Sequence, residues 1–208
     1  HVRSRRQRQM CIRDRARTDD VFNQSTPWAD VNLFTTNQPL QDALRLHAPG
    51  LGVAGLTALG AEMGSAEMLT HARLANTHKP QLRTHDRFGH RTDVVEFHPS
   101  YHALMGAALR HGLHATPWSR QDTGHAHVER AAGFMLFTEA EPSVLCPVSM
   151  SYAVTPALRG NSAVWADWSK GLASTQYDPR LALFSQKSAL TMGCLLYTSD
   201  AADDSLRV

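Results

Sequence analysis

The chain has 208 residues, 42% of them apolar and 19% charged, with a formal charge of +2. That is the size and balance of one globular domain, and it excludes a disordered, collagen-like or disulfide-framework chain. Three scattered cysteines, Cys11, Cys146 and Cys194, suggest neither disulfide pairing nor a zinc site. No stretch reaches the roughly 18 apolar residues of a membrane-spanning helix, and His1-Val-Arg-Ser-Arg-Arg-Gln-Arg lacks the apolar run of a secretory signal, so a cytoplasmic location without membrane contact is expected.

The charge is concentrated at the ends. Residues 1–15 hold six arginines and one acid, whereas residues 194–208 hold three aspartates and one arginine. A basic nucleic-acid arm balanced by an acidic tail is one reading. The genetic code gives another. Arg5 to Asp14 can be written CGT CGG CAG CGT CAG ATG TGT ATA AGA GAC, and with Arg15 beginning AG the reverse complement, in another frame, encodes Cys194 to Asp203. The DNA resembles a transposon-end adapter used for sequencing libraries. Residues 1–15 and 194–208 are therefore expected to be translated adapter and are set aside from fold reasoning. Residues 16–193 then carry 14 basic and 15 acidic residues, and Cys146 alone among the cysteines.

From Ala16 to Pro39 the chain is polar and turn-rich and is expected to wrap over a core. Leu40 to His47 predicts a short helix stopped by Pro49-Gly50. Leu51 to Met63 predicts a second, with Leu56, Leu59 and Met63 on its apolar face. Ser65 is a good cap for a third, which presents Met68, Leu69, Ala72 and Ala75. Residues 77–97 lose this period and read as a long excursion or weak hairpin turning at Asp86-Arg87-Phe88-Gly89. After Pro99, the residues Tyr101, Leu104, Met105, Ala108 and Leu109 follow the i, i+3, i+4, i+7, i+8 pattern, which recurs at Val128, Ala131, Ala132, Met135 and Leu136. Pro147 to Pro156 and Ala163 to Leu172 predict two more helices, and Ser188 to Gly193 predicts the start of a strand.

Several motifs invite chemistry. Gly50-Leu-Gly52-Val-Ala-Gly55 matches a dinucleotide fingerprint, but the preceding segment is polar, helix-patterned and closed by Pro49 instead of being a buried strand, which favours a helix-linking loop. Among twelve histidines, His98 and His102 have i, i+4 spacing, yet no third ligand accompanies them; His111/His114 and His125/His127 read as solvent-facing or capping residues. Lys79, Arg83, Arg87 and Arg91 form a basic cluster suited to phosphate, diluted by Asp86, Asp93 and Glu96 into what reads better as a solvated loop. Cys146 has no evident histidine partner; Pro147 after it suggests a helix start, which can lower a thiol pKa, but the role of a small buried helix-flanking residue is favoured. Spacing alone identifies no active site.

Val21-Phe-Asn-Gln24, Ala72-Arg-Leu-Ala-Asn76, Val95-Glu-Phe-His-Pro99 and, most specifically, Leu145-Cys-Pro-Val-Ser-Met-Ser-Tyr-Ala-Val-Thr-Pro156 resemble, in order and spacing, the AidB-type adaptive-response branch of the acyl-CoA dehydrogenases. Tyr177-Asp178, Gln186-Lys187 and Thr191-Met-Gly193 continue the likeness. The resemblance implies a mainly α fold: the N-terminal helical domain over residues 16–187, and the first strand of a truncated β-domain over residues 188–193. It implies FAD as the cofactor and acyl-CoA thioesters as substrates for α,β-dehydrogenation, with a homotetramer for the full-length protein. The family's flavin motif, Met-Thr-Glu leading into Gly-Gly-Ser-Asp, is expected directly after Gly193, where Cys194 stands. The flavin motif, the catalytic carboxylate and a DNA-contacting C-terminal region are all expected beyond that point, so no catalytic or cofactor-binding residue carries over. This chain is expected to be an inactive fragment that retains no FAD. By resemblance the helix from Pro147 to Pro156 lines one wall of the acyl cleft, making Ser149, Met150 and Ala153 candidate pocket residues, with core packing as the alternative role for each. A DNA-binding protein of the alkylation-damage response is the competing function, and a short helical interaction module the third.

Overall fold

The computed structural model describes residues 21–120 and 124–193; both predicted adapter segments lie outside them. In chain order the elements are α1 (Gln38–His47), α2 (Ala54–Met63), α3 (Ala66–Thr77), β1 (Gln81–His85), β2 (Arg91–Glu96), α4 (Pro99–Arg110), α5 (Thr116–Ser119), α6 (Ala126–Ala140), α7 (Leu145–Leu158) and α8 (Ser162–Leu172), followed by a 3-10 turn at Phe184–Gln186. Three of the helices, α1, α3 and α8, start where a short polar side chain takes up a free amide hydrogen. Asn37 accepts from the Leu40 amide at 3.0 Å, Ser65 from Met68 at 3.2 Å, and Asn161 from Val164 at 3.2 Å. His98 caps α4 through Nδ1, which accepts from the Ser100 amide at 3.2 Å, with Pro99 in the first turn.

α2 packs on α6 and α3 on α4, and the core between them holds Leu59, Met63, Leu104, Leu109, Leu136, Phe137 and Val148. The segment before α1 crosses this core as expected, burying Leu33 and Phe34. It lies close because Gly64 has no side chain: a Cβ there would meet the Val31 carbonyl oxygen at 1.8 Å, where now the Val31 amide donates to the Gly64 carbonyl at 3.3 Å.

β1 and β2 form an antiparallel hairpin in register Gln81↔Glu96 and Leu82↔Val95, so the weak-hairpin reading of residues 77–97 holds. Its residues are almost all exposed.

Four expectations change. The short helix α5 has no counterpart in the sequence reading. The buried face of α6 is Ala132, Gly133, Leu136 and Phe137, while Ala131 and Met135 face solvent. Two equivalent stripes fit that sequence, and packing against α2 selects the one containing Gly133. α7 continues through Pro156 to Leu158. Residues 188–193 form no strand: a strand needs a ladder partner, and here the Leu190 amide donates to the Gly171 carbonyl at 3.0 Å and the Met192 amide to Ser151 Oγ at 3.0 Å. The segment is thus docked on α7 and α8.

Candidate functional site

α7 has two unlike faces. Leu145, Val148, Ser151 and Thr155 are buried, whereas Ser149 and Met150 are half-buried and Ala153 is exposed. At 100° per residue the latter three fall together on the side turned from the core. The structure therefore groups the three pocket candidates as one outward patch, and none of them lines the cavity described below.

The segment after α8 is held against this helix. Asp178 accepts a two-pronged contact from Arg180, with Nε at 2.9 Å and Nη2 at 2.6 Å, and also accepts from the Ser188 amide at 3.1 Å. The Arg180 guanidinium holds the Asp178 carboxyl far below the usual carboxylate range, against the opposing effect of burial. Next to it, the Tyr177 hydroxyl lies 2.8 Å from His102 Nδ1, and burial, aided by Tyr101 and Asp178, pushes the phenol well above its ordinary value. Gly171 lets Leu190 sit on α8, since a Cβ there would lie 2.6 Å from the leucine side chain. Ser151 Oγ donates to the Pro147 carbonyl at 2.9 Å and accepts from Met192, bringing Thr191–Gly193 alongside α7.

A second assembly joins four helices. Phe134 and Arg130 of α6, Tyr152 of α7, Trp118 of α5, then Arg159 of α7 and Trp165 of α8 form a ladder of rings and guanidinium groups. The Arg130 guanidinium carbon is 4.0 Å from the Phe134 centroid and 3.8 Å from that of Tyr152. Tyr152 stacks on Trp118 at 4.8 Å, and Arg159 stands 5.8 and 5.4 Å from the Trp118 and Trp165 rings. Pro156 helps fix this arrangement. Lacking an amide hydrogen, it leaves the Tyr152 carbonyl free within the helix, and the Trp118 indole N–H donates to it at 2.8 Å. Between α5, the end of α7 and α8 lies a cavity of ≈ 270 Å³ lined by Trp118, Thr155, Arg159, Trp165, Lys170 and Leu172, among others. Behind the ladder, His114 is wholly buried with Nε2 2.9 Å from the Ser174 carbonyl, while its Nδ1 and Nη2 of Arg130 have no partner among the described residues. Burial lowers the His114 pKa, with the Ser174 bond opposing and the Arg130 charge assisting.

Sequence reasoning missed the ladder, because its members sit on four elements with no shared spacing. The i, i+4 pair Arg130/Phe134 and the Pro-interrupted run Tyr152-Ala-Val-Thr-Pro156 were its only local signals.

The remaining motifs have structural roles. His98 is a cap, and His111 Nε2 meets Glu62 at 2.8 Å. His114, read as solvent-facing or capping, is instead buried in the core. Among the described residues no group of three histidine, cysteine or carboxylate side chains could hold a metal ion. Gly50–Gly55 joins α1 to α2 with no preceding strand. In the hairpin Arg83 pairs with Glu96 at 2.9 Å and Arg91 with Asp93 at 2.6 Å, so two of the cluster's four cations are already paired, while Arg87 lies over the Phe88 ring. Cys146, expected to be buried beside a helix, is instead exposed in the first turn of α7, on the side turned from the core. No helix among the described residues is long and apolar enough to cross a membrane.

Residues 23–179 match the family model of the adaptive response protein AidB N-terminal domain. The chain is 37% identical over 177 residues to the Escherichia coli (strain K12) protein "Putative acyl-CoA dehydrogenase AidB", covering 85% of this chain and 33% of that protein. Among solved structures, the apo form of Bd2924 aligns with a TM-score of 0.67 at 24% identity, over 75% of this chain and 32% of that one. Caenorhabditis elegans ACDH-11, solved in complex with C11-CoA, aligns with a TM-score of 0.63 at 19% identity, over 76% and 28%. These two likenesses bear on the fold. The chain spans about a third of the length of its E. coli relative. The match over residues 23–179 shows that this chain belongs to the AidB-type acyl-CoA dehydrogenase family, whose N-terminal helical domain it contains.

Proposed function

We propose that this domain supplies one wall of the acyl-thioester cleft in an FAD-dependent acyl-CoA dehydrogenase-like flavoprotein, with Ser149, Met150 and Ala153 of α7 facing the acyl group. The observation that supports this reading is the grouping of Ser149, Met150 and Ala153 on one face of α7 turned from the core, while Ser151 on the buried face holds the Met192 amide. The described residues do not themselves fit FAD. Among them no glycine-rich turn opens a helix after a strand, the arrangement that receives a dinucleotide's pyrophosphate. No step of the dehydrogenation is assigned to these residues, and this chain is inactive by itself. The full-length protein is a cytoplasmic homotetramer in this reading. The experiment is to mix the purified chain with FAD and separate bound from free by gel filtration. A colourless protein peak is expected, and a stoichiometric yellow complex would overturn the reading.

The family's adaptive-response description supports a second reading, DNA binding during alkylation damage, with the contacts made outside this domain. The paired charges of the hairpin argue against binding by the described residues. DNA affinity that survives deletion of residues 1–15 and falls steeply with salt would place it here instead.

A further inference from the structure

We propose that the cavity between α5, α7 and α8 is a binding site for a small carboxylate borne on an aryl or short alkyl body, distinct from the acyl-thioester wall. Thr155 and Arg159 line it, and at 100° per residue they lie on a different face of α7 from Ser149, Met150 and Ala153. Size sets the first limit. At ≈ 270 Å³ the space is slightly below the roughly 300 Å³ at which drug-sized pockets begin, so it takes a single ring or a short acyl chain and leaves out a nucleotide.

Charge sets the second. The lining includes two cations, Arg159 and Lys170, and no carboxylate. Arg159 spends one N–H on the Trp118 carbonyl at 3.3 Å. Among the described residues the Lys170 ammonium, the Trp165 indole N–H and the Ser169 hydroxyl make no hydrogen bond or ion pair, so each uncommitted polar group of the lining can donate and the only charges are positive. Two indole rings form an aromatic cage of the kind that often holds a cation, but the Arg159 guanidinium already stands against both of them. A ligand therefore meets positive charge at the rim and apolar surface from Trp118, Trp165 and Leu172 within. The pocket is also preorganised. Trp118 is fixed by its bond to the Tyr152 carbonyl and by stacking on Tyr152, so little ordering cost remains for binding.

The test uses the full chain labelled with 15N, titrated with phenylacetate and, separately, with its neutral analogue phenylacetamide, while the indole N–H resonances are followed. Saturable shifts of the Trp118 and Trp165 signals are expected with phenylacetate at about 0.1–1 mM, with Trp28 unmoved and with phenylacetamide about tenfold weaker. Lys170→Gln and Arg159→Gln should each bring the acid towards the affinity of the amide. Lys170 is exposed and outside the ladder, so K170Q separates charge recognition from any disturbance of folding. Equal affinity for acid and amide, an unaltered preference in K170Q, or no saturable shift below about 10 mM would each overturn the proposal.

Discussion

Replacing Tyr152 with leucine removes the central rung of the ladder and tests whether it holds α5, α6 and α7 together. The stacked pair with Trp118 is worth about 0.5–1.5 kcal/mol beyond the area it buries. The contact with the half-buried Arg130, 3.8 Å from the ring centroid, adds about 1 kcal/mol. The hydroxyl contact with His127, 2.8 Å away and exposed, contributes about 0.5 kcal/mol. Leucine keeps much of the apolar burial, so the expected loss is about 2–3 kcal/mol, which for a domain of this size lowers Tm by roughly 4–12 °C. Tyr152→Phe keeps the ring and should cost less than about 1 kcal/mol. Urea unfolding followed by both far-UV circular dichroism and tryptophan fluorescence measures both variants. If the two lose the same stability within about 0.5 kcal/mol, the ring contacts contribute nothing beyond burial and the reasoning fails.

Two further perturbations follow from single groups. Burial holds the His114 pKa below 6.5, so as pH falls the unfolded chain takes up this proton first. Its contribution is therefore a loss of stability as pH drops below about 6.5, and urea midpoints at pH 7.5 and 5.0 should differ more for the parent than for His114→Gln; equal differences would refute it. Gly171→Ala puts a methyl group 2.6 Å from the Leu190 side chain, so the bonds from Leu190 to Gly171 and from Met192 to Ser151 should open. Faster amide exchange at those two residues is expected with α4 unaffected, whereas unchanged protection would mean that the segment is held by other contacts.

The sequence was most legible where one element suffices to define a feature. The Ser65 cap, Pro99 at the start of α4 and the apolar stripe through Leu104, Met105, Ala108 and Leu109 are all local signals, and the structure places each as expected. The α6 face was misjudged because both possible stripes contain apolar residues, and a glycine that contributes no hydropathy marks the buried one. α7 was stopped too early at Pro156, since the free carbonyl that the proline creates is taken by an indole from another element. The strand expected at residues 188–193 rests on local pattern and family likeness, whereas the Leu190 and Met192 amides bond to α8 and α7. Ser149, Met150 and Ala153 could be grouped from helical spacing and family likeness together. The ladder and its cavity required tertiary structure, because Trp118, Tyr152, Arg159 and Trp165 meet only once three helices are in place.

We propose, from the family shown by residues 23–179, that residues 16–193 are the N-terminal part of a flavoprotein subunit whose native sequence also includes a cofactor-binding domain. Sequencing the native locus across the codons for Arg15/Ala16 and Gly193/Cys194 tests it most directly. The account predicts that, after Gly193, the genomic reading frame continues into Met-Thr-Glu and then Gly-Gly-Ser-Asp, and that the codons for residues 1–15 and 194–208 are missing from the genome. Genomic codons for Cys194 through Val208 followed by a stop would contradict it.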